Sequence, residues 1–269
     1  MKKSSLIIPL VVMILVTDCM ERNSSRSDNP DFNKLNDPTL LKAVLWHQTS
    51  AEYRALAYQA FNIASERIIN ETARGHQRKP AVVVDIDETI LNNSFYNAAL
   101  IERKLEYPEE FNNWISKSAA EPIPGALEFL DLANELGCEI FYLTNRRENV
   151  FEGTLQNLQK YNFPQADKEH LLMKEDVSSK EPRRERIASR YDVIMLLGDN
   201  LIDFTGLFDK GNIEERYSLV DSLRNYFGNK YIILPNAMHG NWLKALYDYR
   251  SDLTPPERLE IELGHIRVY

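Results

Sequence analysis

Between residues 39 and 71 the apolar positions Leu41, Val44, Leu45, Ala55, Leu56, Phe61, Ile63, Ala64 and Ile68 recur at helical spacing. Ser50 stands inside the stretch as an N-cap, so the pattern predicts two helices. From Ala81 the period changes. Ala81-Val82-Val83-Val84 is an unbroken apolar run, too short for a helix and without polar alternation, which predicts a strand buried on both faces. Three later runs read the same way: Glu139 to Leu143, Val193 to Leu197 and Tyr231 to Leu234. Helical patterns separate them. One opens at Pro124 and carries Phe129, Leu130 and Leu132 up to Gly137; a second spans 149–161. The third spans 180–191 behind a Ser178-x-x-Glu181 capping-box signature. Strands alternating with helices imply right-handed crossovers and a parallel, doubly wound α/β sheet.

Two regions break this rhythm. Residues 92–121 hold Tyr96, Tyr107, Phe111 and Trp114 without strand periodicity and are too long for a bare loop, which predicts an inserted, mainly helical cap. At the N-terminus, Lys2 and Lys3 precede an apolar run from Leu6 to Val16, shorter than the ~20 residues of a membrane-crossing helix. It reads as a signal peptide over 1–18. A polar tether follows at 19–38, rich in Ser and Asn. The expected organisation is then N-terminal helices at 39–79 belonging to a smaller α domain and a catalytic α/β core at 80–91 and 122–240. The cap at 92–121 and a C-terminal helical tail at 241–269 would pack with that smaller domain.

Composition narrows the ligand. The 269 residues carry 32 basic and 40 acidic side chains, a net charge of −8, and the only dense basic stretch is Arg183-Arg184-Glu185-Arg186. A nucleic-acid polymer bound over a broad surface is excluded on this balance, and any phosphate must be met locally. The two cysteines are Cys19 and Cys138. Cys138 opens an apolar run and reads as a core thiol, so no disulfide framework holds the fold.

In a parallel sheet, ligands collect at the carboxyl ends of the strands. The first strand runs into Asp85-Ile86-Asp87-Glu88-Thr89, whose alternation turns two carboxylates towards one space. Carboxylates so close repel, so a metal must neutralise one or it must keep its proton. The third run ends in Gly198-Asp199-Asn200-Leu201-Ile202-Asp203. Four acids at strand ends suit a hard cation, with Mg²⁺ the usual occupant beside a phosphate. The second strand ends in Thr144-Asn145-Arg146-Arg147, where a hydroxyl and an amide can bond phosphate oxygens without adding charge. Lys180, preferred over Lys174, adds a fixed positive charge, while Arg146 and Arg147 read as solvated or ion-paired. These parts suit attack by Asp85 on phosphorus, with Asp87 protonating the leaving oxygen and then activating water. A protonated Asp87 would favour acidic to neutral pH.

In order, Asp85-x-Asp87-Glu88-Thr89, Thr144-Asn145-Arg146, Lys180 and Gly198-Asp199-Asn200-Leu201-x-Asp203-Phe204 resemble the four motifs of the haloacid-dehalogenase superfamily. More narrowly the chain resembles its class C acid phosphatases, bacterial outer-membrane lipoproteins. Further shared blocks are Trp46-x-Gln48-Thr49-Ser50-Ala51-Glu52-Tyr53, Leu91-Asn92-Asn93-Ser94-x-Tyr96, Ile123-Pro124-Gly125-Ala126, Ser178-x-Lys180-x-x-Arg183 and Leu234-Pro235-Asn236-Ala237-Met238.

The resemblance implies a Rossmannoid sheet with a cap. It implies one Mg²⁺ held by Asp85, the Asp87 carbonyl and Asp199, with Asp203 acting directly or through water. It implies hydrolysis of 5′-nucleotides or nicotinamide mononucleotide, with Phe111 and His239 clamping the base. His239 departs from the family's usual tyrosine and Asn92 from its usual aspartate. Leu15-Val16-Thr17-Asp18-Cys19 resembles a lipobox, apart from Asp18, and implies a lipid on Cys19 that anchors the protein at the outer membrane or cell surface. A homodimer is implied by resemblance alone. Two other readings are a receiver-like phosphoacceptor, disfavoured by the export signal and the second acid, and a surface lipoprotein that binds a small molecule without catalysis.

Overall fold

The computed structural model describes residues 38–269; the expected signal segment, Cys19 and the expected tether up to residue 37 lie outside the described residues. Helices α1 (Pro38–Thr49) and α2 (Ala51–Thr72) lead into strand β1 (Pro80–Val84). After it come β2 (Leu91–Asn92), α3 (Ser94–Arg103), α4 (Phe111–Ser116), β3 (Glu121–Pro122) and α5 (Ala126–Glu135). The chain continues through β4 (Glu139–Arg147), α6 (Phe151–Lys160), β5 (Leu171–Lys174), α7 (Glu181–Arg190) and β6 (Asp192–Gly198). It ends with α8 (Ile213–Ser222), β7 (Tyr231–Ile233), α9 (Asn241–Leu246) and α10 (Pro255–His265).

Five strands form one parallel sheet in the order β5-β4-β1-β6-β7. The alternation of each strand supplies both of its faces. Val82 and Val84 of β1, Ile140 and Tyr142 of β4, and Met195 and Leu197 of β6 enter the larger core. Ala81, Val83, Phe141, Leu143 and Leu196 enter a second core on the opposite face with Ile187 of α7. Burial on both sides is why these segments read as continuous apolar runs.

Ser50 caps α2 as expected, accepting the Tyr53 backbone N–H at 3.0 Å. Placing 39–79 in the smaller domain needs correction, because the two helices part company. α1 lies against α3, whereas Ala57, Ala60, Phe61, Ala64 and Ile68 of α2 join α5 in the larger core. The alanine face lets this helix approach the sheet closely, and Phe61 closes the gap against Phe129 at 5.9 Å between ring centres. β2 and β3 pair antiparallel and bracket the helical segment between them. α10 reaches that segment through Arg258, whose guanidinium donates to Glu106 at 3.0 Å.

Two further expectations change. β5 is a fifth strand, four residues long at the sheet edge. The Ser178–Glu181 capping box does not form: α7 begins at Glu181 with Lys180 as its N-cap residue, and Ser179 Oγ accepts the Glu181 N–H at 3.3 Å. The Glu181 carboxylate instead bonds Arg184 and the Gly206 N–H.

Candidate active site

Asp85 follows directly on β1, and its backbone N–H extends the β6 ladder by donating to Leu197 O at 3.0 Å. By alternation its side chain shares a face with Ala81 and Val83, the face covered by α7. Lys180, at the start of α7, therefore reaches it. Its buried ammonium pairs with Asp85 Oδ1 and lies 2.6 Å from Asp203 Oδ1. Thr89 Oγ1 lies between Asp85 Oδ2 at 3.4 Å and Asp199 Oδ1 at 3.3 Å, and Asn236 Nδ2 donates to Asp199 Oδ2 at 2.7 Å. Asp85, Asp199 and Asp203 bring oxygens within 4.8 Å of one another, a hard, all-oxygen donor set that fits a divalent cation.

Crowding shows in the proton affinities. Burial, opposed by Lys180 and reinforced by Asp203, Asp199 and Asp87, pushes the Asp85 carboxyl well above its ordinary value. Burial and the neighbouring Asp203 push Asp199 to about 7. Lys180 moves the other way from a buried amine, because Asp203 and Asp85 outweigh its desolvation and raise it.

Gly198 makes the Asp199–Asp203 turn possible. A Cβ there would sit 2.3 Å from both Cβ and Oδ2 of Asp203. Asp203 cannot yield freely, since Oδ1 meets Lys180 and Oδ2 accepts the Asn200 N–H at 3.0 Å.

Asp87 stands apart from this cluster. The Arg146 guanidinium grips it, with Nη2 to Oδ1 at 2.7 Å and Nε to the two oxygens at 3.0 and 3.2 Å, and Asn93 Nδ2 adds a bond of 2.8 Å. Burial would raise the Asp87 carboxyl, but Arg146 and Asn93 together hold it below its ordinary value. Arg146 is itself buried and fixed by Thr154 at 3.1 Å. The ion-paired reading of Arg146 holds, with Asp87 as its partner.

Thr144 is fully buried in the second half of β4, its Oγ1 accepting the Arg146 N–H at 3.1 Å. Asn145 is anchored at both ends of its amide, donating to Ser178 O at 2.9 Å and accepting from Arg183 at 2.7 Å. Arg183 is almost wholly buried and also donates to Thr144 O at 2.6 Å and Met173 O at 2.7 Å. Arg184 donates to Ile202 O at 2.7 Å. The first turn of α7 thus ties together the ends of β1, β4, β5 and β6. The basic stretch after Lys180 was the visible signal, although its first two arginines turn inward and form no surface patch.

A cavity of about 460 Å³ opens from Asp85, Asp87 and Lys180 towards the helical segment, lined there by Tyr96, Tyr107, Phe111 and His239. Phe111 and His239 both line this cavity. Tyr107 is the ring that faces His239, with centres 6.5 Å apart and planes 22° from parallel, whereas Phe111 packs on Tyr96 at 4.9 Å and Tyr107 at 5.8 Å. His239 Nε2 meets Glu88 Oε2 at 2.9 Å. Burial would lower the His239 imidazole, but Glu88 outweighs it and lifts the group to about 9. Asn92, the other departure, accepts the Ser94 N–H at 2.9 Å and so starts α3. His47 lies buried against Tyr53, ring centres 3.8 Å apart, and burial pulls it down to about 4.

Carboxylates gathered beyond the central parallel strand β1, with a lysine delivered from the start of α7 between β5 and β6, mark the haloacid-dehalogenase class of phosphatases. The narrower assignment follows from sequence: residues 25–242 match the family model of the HAD superfamily, subfamily IIIB (acid phosphatase), and the chain belongs to this family. It is similar to the class C acid phosphatase from Bacillus anthracis, 38% identical, with a TM-score of 0.83 over 86% of this chain and 97% of that one. The same figures hold for that enzyme with tungstate bound. A more distant relative is the stem 31 kDa glycoprotein of Glycine max, 26% identical over 170 residues; the match spans 59% of this chain and 63% of that protein's length.

Proposed function

We propose that this chain is a Mg²⁺-dependent acid phosphatase acting on 5′-nucleotides. The observation that carries the reading is the continuity of one cavity, with Asp85 and Lys180 at its floor and Tyr107 facing His239 across its upper part. The Tyr107 and His239 rings, 22° from parallel with centres 6.5 Å apart, present π faces on which a planar base would stack. The Bacillus anthracis relative binds tungstate, a tetrahedral oxyanion shaped like phosphate.

Asp85 is the nucleophile. It attacks phosphorus, the ester oxygen leaves, and an aspartyl-phosphate forms. Lys180 holds one oxygen of Asp85 in place, and Thr144 offers a hydroxyl to the phosphoryl group. Asp87 must first take up a proton against the hold of Arg146 and Asn93; it gives that proton to the leaving oxygen and then takes one from the water that cleaves the acyl phosphate. Arg146 and Asn93 orient Asp87 and favour its carboxylate form, the form required in the second half of the cycle. Asp85, Asp199 and Asp203, with the Asp87 carbonyl, would hold the cation. Its charge would offset those of the carboxylates and the phosphate and let an anionic nucleophile approach an anionic substrate. A lipid on Cys19, anchorage at the outer membrane and a homodimer complete the proposal.

The test is hydrolysis of p-nitrophenyl phosphate and nucleoside monophosphates by the purified chain with Mg²⁺ and with chelator, beside Asp85→Asn and Asp87→Asn. Loss of turnover in Asp85→Asn and with chelator is expected. Activity surviving both substitutions overturns the mechanism, and binding without turnover favours the non-catalytic reading. A mass shift at Cys19 reads the anchor.

A further inference from the structure

The catalytic cavity also runs past α9, where Lys244 lines its wall. Partial burial and the charge of Lys174 lower the Lys244 ammonium, so the two cations lie within electrostatic reach of each other. Lys174 ends β5, and the β4–β5 register sets it directly beside Arg147, the last residue of β4. Neighbouring strands run about 4.8 Å apart, so two positive side chains start side by side at the carboxyl edge of the sheet, the edge at which ligands collect. Arg147 is exposed, and its charge reaches Tyr107 in the cavity wall, where it opposes the raising effect of burial. Like charges set opposite each other across strands destabilise a sheet. Among the described residues none of the three cations forms an ion pair. Glu175, next to Lys174, is committed to Arg186 at 3.0 Å, and Asp176 is exposed and pairs with none of them. The other charges at the cavity wall are matched, Glu106 with Arg258 at 3.0 Å and Arg250 with Asp252 at 3.3 Å. In a chain of net charge −8, three uncompensated cations beside one cavity are a local surplus that the stability of the sheet does not explain.

Resting on the nucleotide reading above, we infer that Arg147, Lys174 and Lys244 form a second anion subsite at the rim of the cavity. It takes a second phosphate of the substrate while Asp85 attacks the first, so the favoured substrates are nucleoside bisphosphates, with a phosphate on the ribose 2′ or 3′ oxygen beside the 5′-phosphate that is cleaved. Lys180 is committed to Asp85 and Asp203 and has no charge to spare for a second dianion. The acidic surface repels such a group, so it must be met locally. A guanidinium offers paired donors to phosphate oxygens, and two ammonium groups add compact charges to it. The three side chains are specificity-determining residues, and the bond cleaved at Asp85 is the same for either kind of substrate.

The experiment compares kcat/KM for adenosine 5′-monophosphate with that for adenosine 3′,5′-bisphosphate and adenosine 2′,5′-bisphosphate, the 5′-dephosphorylated products being separated by chromatography. It is run on the full chain, on Lys244→Met and on the double variant Arg147→Gln with Lys174→Gln. The native chain should favour at least one bisphosphate by about tenfold, mostly through KM, and each variant should bring that ratio down towards one. The native preference should also shrink as salt rises from about 0.05 M to about 0.5 M, because partly exposed charges are screened. The double variant should melt no lower than the native chain, since it relieves the repulsion between neighbouring strands. Bisphosphates hydrolysed no better than the monophosphate, or a preference that both variants leave unmoved, overturns this inference and leaves the nucleotide reading intact. Turnover of p-nitrophenyl phosphate with no nucleotide hydrolysed overturns the nucleotide reading and the inference with it.

Discussion

Replacing Gly198 by alanine tests how tightly the Asp199–Asp203 turn is folded against the end of β6. The added methyl would lie 2.3 Å from Asp203 Cβ and Oδ2, and 2.6 Å from its Cγ. Ordinary contact requires about 3.4 Å or more, so the two segments must part by about 1 Å. Asp203 is held on one oxygen by Lys180 at 2.6 Å and on the other by the Asn200 N–H at 3.0 Å. Parting by that much lengthens both bonds beyond use. Overpacking of this kind costs about 1–3 kcal/mol, and a charge-assisted bond is worth about 1.5–3 kcal/mol, so a loss of about 2–5 kcal/mol is expected. For a chain of this size that lowers the melting temperature by roughly 5–15 °C. Because Asp199 and Asp203 are candidate cation ligands, kcat/KM should fall by about 100-fold, the usual result of misplacing catalytic groups by about 1 Å. Circular dichroism melts and steady-state turnover of p-nitrophenyl phosphate read the two effects. Gly264→Ala is the control: a Cβ there, inside α10, meets nothing within 4 Å and should be neutral or slightly stabilising. A Gly198→Ala protein with native melting and native turnover would refute the close approach.

Two further outcomes follow from buried polar groups. Arg183→Met strands Thr144 O, Met173 O and the Asn145 amide oxygen, so urea unfolding should show a loss of about 3 kcal/mol; an unchanged midpoint would mean that α7 does not hold the strand ends together. His47 titrates near 4 in the fold against 6.5 when unfolded, so between those values the unfolded chain binds more protons and stability falls as pH falls. The loss reaches up to about 3 kcal/mol near pH 4, and His47→Phe, which keeps a ring against Tyr53, should remove it; parallel stability profiles of the two proteins would contradict a neutral buried imidazole.

What could be read along the chain depended on how locally each interaction is encoded. β1, β4 and β6 were legible because both faces of each strand are apolar, and Ser50 was legible because a cap acts within three residues. β5 was not: Leu171–Lys174 is an edge strand whose residues alternate between buried and half-buried, too short a pattern to separate from a loop. The aspartates were visible through their spacing, but the grip of Arg146 on Asp87 joins positions 59 apart, and that of Glu88 on His239 joins positions 151 apart. No local period expresses such pairs. The place of Tyr107 opposite His239 was not legible for a related reason. Phe111 and Trp114 sit on one helix at core-like spacing, and the helix spends them there: Trp114 donates to Asn93 at 2.7 Å and Phe111 supports Tyr96 and Tyr107, which leaves the ring from the preceding loop to face the slot.

The charge arithmetic of the site explains how an acidic protein can handle phosphate, and it makes a last prediction with an unusual sign. Asp87 is paired with Arg146 and Glu88 with His239, so both pairs are close to neutral. Three carboxylates then face one ammonium in the Asp85–Asp199–Asp203 cluster, leaving two negative charges when all are ionised, the number that one divalent cation cancels. Lys180→Met would leave three. The metal-free protein should then lose stability, because a buried carboxylate pair has lost its shared cation, while its affinity for Mg²⁺ should rise. Stabilisation by a ligand grows as the logarithm of its concentration over Kd, by about 1.4 kcal/mol per tenfold. The rise in melting temperature on adding Mg²⁺ should therefore be larger in Lys180→Met than in the native chain, even though turnover collapses. A smaller rise would mean that the ammonium helps to build the cation site, and the division of the four aspartates into a metal-holding three and a proton-carrying one would have to be redrawn.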